Sequence, residues 1–391
     1  MAEDKLKLYE ERKKRYLAAM NLEKPDKVPI RLSLSEFVAK HAGYTLQEIY
    51  YELEKNIDSI NKLLTDYDLD AITGAPSLWW ASLHDAVGAK YLKFAGRELD
   101  PNTQFQYHEE AYMLPEDYDA FIENPTEWIL NTFLPRLHEE LSEPGSYRAN
   151  VSLIKGAAGM AMQQGMNQKA WATWAAEYGG VPAFTAMSKA PFDTLADTLR
   201  GLSGIMLDLY QRPEKVKAAL EVLIPHNIFY GMATSGGEME FPLFMPLHRG
   251  SFPFLNPKQW AEFYWPSLKQ VIEALWSKGK RTLFFAEGNW TPYLESIAEL
   301  PEKSIVFHVD MTDMAKAKKI LGGRFCLSGN IPNMMLAYGK PEEVRDYVKR
   351  LIDEYAGDGG FIIDAAAVIQ GDAREENIRA VIEAAREYGV Y

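Results

Sequence analysis

The chain has 391 residues, of which 47% are hydrophobic and 25% charged, a composition typical of a globular protein with a large core. Its formal net charge of -13 argues against nucleic acid or an anionic membrane as the main partner. A single cysteine, Cys326, excludes an internal disulfide and favours a reducing compartment. The charged amphipathic N-terminus has no apolar signal core, so we expect a cytoplasmic protein.

Eight short apolar runs follow the N-terminal helical segment and alternate with longer helical patterns. The predicted strands are residues 28–33, 70–76, 182–188, 241–248, 282–288, 304–310, 324–330 and 360–366. The helices predicted between and after the later strands are 257–278, 313–321, 340–355 and 374–387. This alternation predicts βαβ units, and eight of them predict a closed (β/α)8 TIM barrel of the α/β class. An open doubly wound sheet is the alternative, although its GxGxxG phosphate fingerprint is absent.

A long insertion precedes the third predicted strand. Residues 91–114 are typical of a β-hairpin, and residues 155–179 are typical of a helix rich in methionine and alanine. In a barrel, long loops over one mouth build the functional site, so we expect this excursion to lie there. No linker composition interrupts the chain, and we treat residues 1–391 as a single domain.

Polar side chains stand at the carboxyl ends of the later strands, where barrel enzymes carry their chemistry. They include His248, Glu287, His308 and Asp310. Because neighbouring strands lie about 4.8 Å apart, side chains at matched heights can share one ion. One Glu and one or two His with an open position is a pattern of catalytic zinc sites. We therefore predict zinc bound by Glu287, His308 and His248, with Glu287 and His308 as catalytic residues.

These residues also have purely structural interpretations. A lone His308 within an apolar strand is often a core histidine with satisfied hydrogen bonds, and His248 can cap a loop. Asp310 precedes a predicted helix and is a candidate for its N-cap.

Two adjacent tryptophans follow the second predicted strand. Core packing explains one of them, whereas two at a strand end suggest the aromatic wall of a pocket. We predict that Trp79 and Trp80 bind substrate, together with Asp364 at the end of the last strand.

Four stretches of the chain together resemble the uroporphyrinogen decarboxylase superfamily. They read ERKKRYLAAMNLEKPDKVPIRLS, APFDTLADTLRGLSGIMLDLYQRPEKV, CLSGNIP and REENIRAVIEAAREYG, and they span nearly the whole chain. That superfamily consists of (β/α)8 barrels and holds decarboxylases as well as zinc- and corrinoid-dependent methyltransferases. The resemblance therefore implies the same barrel.

The decarboxylases use an Arg-Gln-Ala-Gly-Arg motif to hold a polycarboxylate, and the matching region here, PIRLSLSEFVAKHAGY, lacks it. The chain is more similar to the ether-cleaving O-demethylase methyltransferases of anaerobes. Their zinc motif has two Glu and one His, with twenty residues between the second Glu and the His. Twenty residues likewise separate Glu287 from His308. Glu273 is one residue away from the place of the first Glu, and we prefer His248 as the third ligand.

The resemblance implies a methyltransferase that demethylates an aryl methyl ether and passes the methyl group to cobalt(I) of a corrinoid, with zinc polarising the ether oxygen. The Asp-x-His-x-x-Gly loop that ligates cobalt in corrinoid proteins is absent, so we expect the corrinoid on a separate partner protein. Three alternatives remain: a metal-free decarboxylase or lyase, a corrinoid methyltransferase acting on an N- or S-methyl donor, and a binding or regulatory protein with an inactive site.

Overall fold

The computed structural model describes residues 2–73, 80–108, 110–235 and 239–391, and Trp79 lies outside them. The strands in these ranges are β1 (Arg31–Leu32), β2 (Ala71–Ile72), β3 (Leu92–Lys93), β4 (Gln106–Tyr107), β5 (Ala186–Met187), β6 (Leu243–Leu247), β7 (Thr282–Ala286), β8 (Ile305–Val309), β9 (Cys326–Gly329) and β10 (Phe361–Ile362). β1, β2 and β5 to β10 fall within the eight predicted strands.

Parallel pairing closes these eight strands into a barrel. β5 to β10 form one sheet in chain order, and β1 pairs with β2. A bridge between Ile72 and Pro182 joins β2 to the segment that leads into β5, and a bridge between Ile30 and Ile363 joins β1 to the end of β10. The predicted (β/α)8 barrel is confirmed, and the open-sheet alternative is wrong.

Helices connect the strands and surround the barrel. They are α1 (Ala2–Met20), α2 (Phe37–Ala42), α3 (Leu46–Tyr51), α4 (Leu53–Asp66), α5 (Ala81–Val87), α6 (Tyr118–Glu123), α7 (Pro125–Trp128), α8 (Leu134–Leu137), α9 (Tyr147–Thr173), α10 (Pro191–Asp193), α11 (Leu202–Gln211), α12 (Pro213–Ala233), α13 (Pro257–Gln259), α14 (Trp265–Ser277), α15 (Leu294–Ile297), α16 (Met314–Leu321), α17 (Asn333–Tyr338), α18 (Pro341–Leu351) and α19 (Glu375–Tyr388). In the described ranges, no helix combines the length and apolar character needed to cross a membrane.

Single helical turns of other geometry continue or link several of these helices. Turns of π-helix lie at Ile129–Phe133, Trp174–Tyr178, Thr194–Leu199, Trp260–Tyr264 and Ile352–Ala356, and 3-10 turns at Pro115–Asp117, Glu139–Leu141 and Thr291–Tyr293. The four helices predicted in the second half of the chain are all present.

The N-terminal helix α1 covers the end of the barrel where the strands begin. Its buried Tyr16, Ala19 and Met20 pack in one cluster with side chains from the strand starts. The hydroxyl of Tyr16 donates a hydrogen bond to the carbonyl of Ala183 at 2.9 Å. Apolar packing thus closes this end of the barrel. In (β/α)8 barrels the functional site lies at the opposite end, where the strands end.

The insertion between β2 and β5 contains the predicted hairpin and helix. β3 and β4 pair in antiparallel register. Helix α9 begins earlier than the predicted residue 155, because the side chain of Ser146 accepts a hydrogen bond from the Ala149 amide at 3.1 Å and caps it there. Met160 and Met162 on this helix are exposed.

Candidate functional site

A cavity of about 390 Å³ opens where the barrel strands end. The described residues that line it are His248, Arg249, Ser251, Phe254, Glu287, Gly288 and Asp310. The last residues of the three neighbouring strands β6, β7 and β8 are in register with one another. The next residues along these strands, His248, Glu287 and Asp310, therefore stand at one height, and we call them the mouth layer.

Glu287 is held at the mouth by the turn that follows β7. Gly288 has a φ of +83°, which favours glycine, and a Cβ atom there would lie 2.8 Å from Ser251 Oγ. The Gly288 amide donates to Asp310 Oδ2 at 2.7 Å. The buried indole of Trp290 donates to the Glu287 carbonyl at 2.9 Å. The sequence Glu-Gly-Asn-Trp thus ends the strand and fixes the carboxylate beside the cavity.

His248 lies between two carboxylates. Its Nδ1 is 2.8 Å from Asp197 Oδ2, and its Nε2 is 3.6 Å from Glu287 Oε1. Burial lowers the pKa of His248, but the hydrogen bond with Asp197 and the negative charges of Asp197 and Glu287 outweigh burial and raise this pKa to about 10. The imidazole is therefore a cation at neutral pH, and its Nε2 edge faces Glu287.

Two aspartates one helical turn apart hold His248 and Arg249. Asp193 Oδ1 accepts the backbone N–H groups of His248 at 3.2 Å and Arg249 at 2.7 Å. Asp197 accepts from the side chain of His248 and, at 2.6 Å, from Arg249 Nε. Burial and the charge of Asp197 raise the pKa of Asp193 to about 6. This pair binds the backbone and the side chains of the same two lining residues.

His308 lies one layer below the mouth, inside the barrel. It is in register with Phe285 and stacks on that ring at 4.0 Å. Its Nε2 lies 3.0 Å from the Ala366 carbonyl, so Nε2 carries the proton, and Nδ1 accepts from Ser328 Oγ at 3.0 Å. Burial and the charge of Arg31 hold the pKa of His308 well below its ordinary value. His308 is a neutral, fully buried side chain.

Asp364 also belongs to the interior. Its carboxylate is fully buried and accepts from Arg31 Nε at 2.8 Å, from the Ser33 amide at 3.0 Å and from the Ala365 amide at 2.8 Å. We call Phe285, His308, Ser328, Arg31 and Asp364 the interior layer. The predicted substrate-binding role of Asp364 does not fit this position, because its oxygens already have partners away from the cavity.

The described residues do not place Trp80 at the cavity, where the aromatic wall was predicted. Trp80 precedes α5, and its indole N–H donates to the Tyr51 carbonyl at 3.2 Å. Trp80 is not among the residues that line the cavity, and Trp79 lies outside the described residues. The aromatic side chain in the lining is Phe254, with the guanidinium of Arg249 at 5.8 Å from its ring centroid.

The three predicted zinc ligands do not converge on one point. His248 Nε2 and Glu287 Oε1 are 3.6 Å apart, a separation compatible with two ligands of one ion. His308 is one layer lower, and both of its ring nitrogens are engaged. Within the described ranges, no three His, Cys, Asp or Glu side chains are grouped so as to hold a metal ion. The predicted set therefore does not fit zinc, because His308 cannot reach the mouth layer.

Sequence reasoning missed Asp193, Asp197 and Arg249. A signal was present, since two aspartates four residues apart on one helical face repel each other unless cations lie against them. The suggested capping role of Asp310 was wrong: α16 is capped by Asp313, which accepts from the Lys316 amide at 3.0 Å. Asp310 instead fixes the turn at Gly288.

Comparison with known families agrees with this barrel fold. The family model described as uroporphyrinogen decarboxylase (URO-D) matches residues 163–388, which is more than half of the chain. The chain therefore belongs to the uroporphyrinogen decarboxylase family.

Individual relatives are more distant. The chain is 27% identical over 106 residues to a uroporphyrinogen decarboxylase of Methylococcus capsulatus, covering 27% of this chain and 29% of that protein. It is 30% identical over 135 residues to a uroporphyrinogen decarboxylase of Christiangramia forsetii, covering 34% of this chain and 38% of that protein. The matches thus span well under half the length of these relatives.

A solved structure resembles the whole chain. A methyltransferase from Methanosarcina mazei superposes with a TM-score of 0.62 and 18% identity, covering 96% of this chain and 98% of that one. At this identity, the likeness establishes the shared fold.

Proposed function

We propose that this protein is a methyltransferase that demethylates an aryl methyl ether and transfers the methyl group to a corrinoid on a separate protein. The observation that carries the proposal is the His248 imidazolium, fixed between Asp197 and Glu287 on the cavity wall. Phenolate leaves an ether poorly unless a proton or positive charge meets its oxygen. An acid with a pKa of about 10 matches a phenol, whose pKa is also about 10.

In this proposal, His248 donates its Nε2 proton to the oxygen as the bond to the methyl carbon breaks. Glu287, beside Nε2, stabilises the imidazolium before transfer and orients its N–H. Phe254 offers an apolar surface to the aromatic ring. When bound by its partner, a corrinoid would supply the nucleophile that accepts the methyl group.

The partner would dock over the rim of the cavity. Phe252, Phe254 and Met311 follow the ends of β6 and β8 and are exposed, and Met334 in α17 is exposed after β9. Exposed aromatic and methionine side chains are typical of protein interfaces. The sequence lacks a cobalt-ligating loop, which supports a corrinoid that arrives on another chain.

The decarboxylase alternative is less consistent with the charges at the mouth. A polycarboxylate would meet Glu287 and Asp310, whereas the lining cations His248 and Arg249 are already bound by Asp197. Arg31 is fully buried against Asp364 and is remote from solvent. We therefore favour a substrate that is neutral at its reacting end.

Zinc binding remains a prediction, and no step above depends on it. His248 and Glu287 are two candidate ligands, and a third within reach is not evident in the described part of the chain. Elemental analysis of the purified protein after zinc supplementation, compared with Glu287→Ala, tests it directly. About one zinc per chain in the wild type, lost in the variant, would support zinc at the mouth layer.

The proposed function is tested by single-turnover methyl transfer to free cob(I)alamin from a series of substituted anisoles. Loss of an acid catalyst typically costs ~100-fold or more, so we expect His248→Gln to slow transfer by that order. The loss should be greatest for ethers of electron-rich phenols, whose oxygens need the proton most. The exposed His226→Gln variant is the matched control and should transfer methyl groups like the wild type.

Three outcomes would contradict the proposal. A uniform loss across the anisole series would show that His248 supports binding or folding rather than the leaving group. A wild-type protein that ignores every anisole but demethylates an N- or S-methyl compound would assign it to another donor class. Steady decarboxylation of uroporphyrinogen would restore the decarboxylase alternative.

A further inference from the structure

Asp197 lies on the helical turn Thr194–Leu199 after β5, yet it contacts two consecutive residues of the cavity wall. Its Oδ2 accepts from His248 Nδ1 at 2.8 Å, and its Oδ1 accepts from Arg249 Nε at 2.6 Å. The carboxylate is only 11% exposed, so water competes weakly for these hydrogen bonds. One carboxylate therefore holds both cationic side chains of the lining.

The backbone of the same residues has a separate anchor. Asp193 is fully buried, accepts both backbone amides, and receives the hydroxyl of Tyr264 at 2.5 Å. The end of β6 is therefore secured without Asp197. Loss of the Asp197 carboxylate should release the two side chains while the main chain stays in place.

This arrangement decides which edge of His248 meets the cavity. With Nδ1 directed at Asp197, Nε2 is directed at Glu287, 3.6 Å away. The guanidinium of Arg249, held through Nε, lies over the ring of Phe254. A freely rotating imidazole would present Nε2 correctly for only part of the time, and a misplacement of about 1 Å in a catalytic group can cost ~100-fold in rate.

We propose that Asp197 is the positioning residue of the methyl-transfer reaction: it holds the His248 imidazole so that Nε2 faces the substrate oxygen, and it holds Arg249 against Phe254. This inference rests on the proposed function for its reaction, but its geometry is independent of the methyl donor. Asp197 acts through His248 and does not itself touch the reacting atoms.

A double-mutant cycle with Asp197→Asn and His248→Gln tests this role. Asn keeps the shape of the side chain but cannot accept from both neighbours as a carboxylate does. We expect Asp197→Asn to lower kcat by ~10- to 100-fold with KM changed by less than about threefold. If Asp197 acts through His248, the double variant should be no slower than His248→Gln alone, because the orientation of an absent imidazole no longer matters.

Two further variants keep the test decisive. Asp197→Glu serves as a substitute if Asp197→Asn fails to fold. It retains the negative charge that pairs with Lys189 and Arg249 but displaces the carboxylate, so we expect it to fold and still to have a lower kcat. Asp208→Asn is the matched control, since Asp208 is likewise buried and accepts from Arg200 and Arg212 but contacts no lining residue. It should lower the Tm and leave kcat within about twofold.

A measurement without turnover separates this inference from the proposed function. In protein labelled with 15N-histidine, the ring nitrogens of His248, assigned by their loss in His248→Gln, report the hydrogen bond at Nδ1. We expect that signal to change in Asp197→Asn and not in Asp208→Asn. If the wild-type protein is inactive on anisoles but the His248 signal still changes in Asp197→Asn, only the proposed function is overturned. Active wild type with additive losses in the cycle, or an unchanged His248 signal, would overturn the positioning role of Asp197.

Discussion

At the barrel mouth, the ring of His248 lies between the carboxylates of Asp197 and Glu287, whereas one layer below, the ring of His308 lies near Arg31 and a backbone carbonyl. Burial disfavours the charged form of both histidines. The neighbouring charges then decide the result: the pKa of His248 rises to about 10, and the pKa of His308 falls well below its ordinary value. Two histidines only one layer apart in the barrel therefore differ in charge: His248 is a cation at neutral pH, and His308 is neutral.

The two layers also differ in how completely their polar groups are satisfied. In the interior layer, Arg31 donates to Asp364 and Ser328, and Ser328 in turn donates to His308. These groups are fully buried. In the mouth layer, Glu287 keeps part of its side chain exposed to the cavity. The interior layer is thus closed to solvent, whereas the mouth layer keeps a carboxylate accessible from the cavity.

The largest expected effect comes from breaking the interior ion pair. Asp364→Ala leaves the Arg31 cation buried without its carboxylate, and loss of one partner of a buried pair costs about 3–5 kcal/mol of unfolding free energy. Urea denaturation at neutral pH measures this loss. Methyl transfer per folded molecule should be unchanged, because Asp364 does not contact the mouth layer.

Two companion variants sharpen this experiment. The exposed Asp358→Ala should leave the unfolding free energy within about 0.5 kcal/mol of wild type. Replacing both partners, Arg31→Met with Asp364→Leu, should recover only part of the loss: it removes the unpaired buried charge, but the Ser33 and Ala365 amides still lose their acceptor. A loss below about 1 kcal/mol for Asp364→Ala would contradict a closed interior network.

The next effect is on the pH dependence of stability, where the two histidines act in opposite directions. A lowered folded-state pKa, as for His308 and for His84 at about 4, gives stability that is present above about 6.5 and lost as pH falls. The raised pKa of His248 gives stability that is present below about 6.5 and lost as pH rises through about 10. Stability should therefore decline on both sides of a maximum near neutral pH.

Denaturation curves collected from pH 5 to pH 9 in wild type and single variants separate these contributions. His308→Gln should flatten the acid side, and His248→Gln should flatten the decline between pH 7 and pH 9. Each site contributes a slope of at most about 1.4 kcal/mol per pH unit, and less for His248 because it is partly exposed. If His248→Gln altered the acid side instead, the assignment of charge to the mouth layer would be wrong.

Much of the fold could be predicted from the sequence because its signals are local. Short apolar runs alternate with helical patterns, and eight such units predict the barrel. The stretch between β2 and β5 is long enough to indicate an insertion. Helix starts were less accurate. Helix α9 begins at Tyr147 because of a single capping serine at position 146, a signal that apolar periodicity does not contain.

The site was only partly predictable because height in a barrel depends on register. His248 and Glu287 were predicted to meet, and the structure brings them together. His308 also ends an apolar strand, but β7 and β8 pair so that it lies level with Phe285 rather than with Glu287. The spacing of twenty residues between Glu287 and His308 gives no information about this offset. Asp197 comes from a helix 51 residues before His248, and no spacing rule connects the two.

The smallest expected effect is that of Ser328→Ala, which tests whether the interior layer influences the mouth at all. Ser328 Oγ lies 2.8 Å from Arg31 Nη2 and 3.0 Å from His308 Nδ1, and Arg31 Nη2 is itself 3.2 Å from His308 Nδ1. Because Arg31 can keep its hydrogen bond to His308 after the hydroxyl is removed, the loss should be about 1 kcal/mol of unfolding free energy.

Methyl transfer should stay at the wild-type rate in this variant, since neither Ser328 nor His308 lines the cavity. Ser251→Ala, at a lining position, is the matched comparison and should change KM for the methyl donor. Should Ser328→Ala slow transfer as strongly as His248→Gln, while the protein stays folded, the neutral His308 would have to act on the reaction through Phe285, which stacks on it directly beneath Glu287. The separation of a structural layer from a chemical layer would then fail.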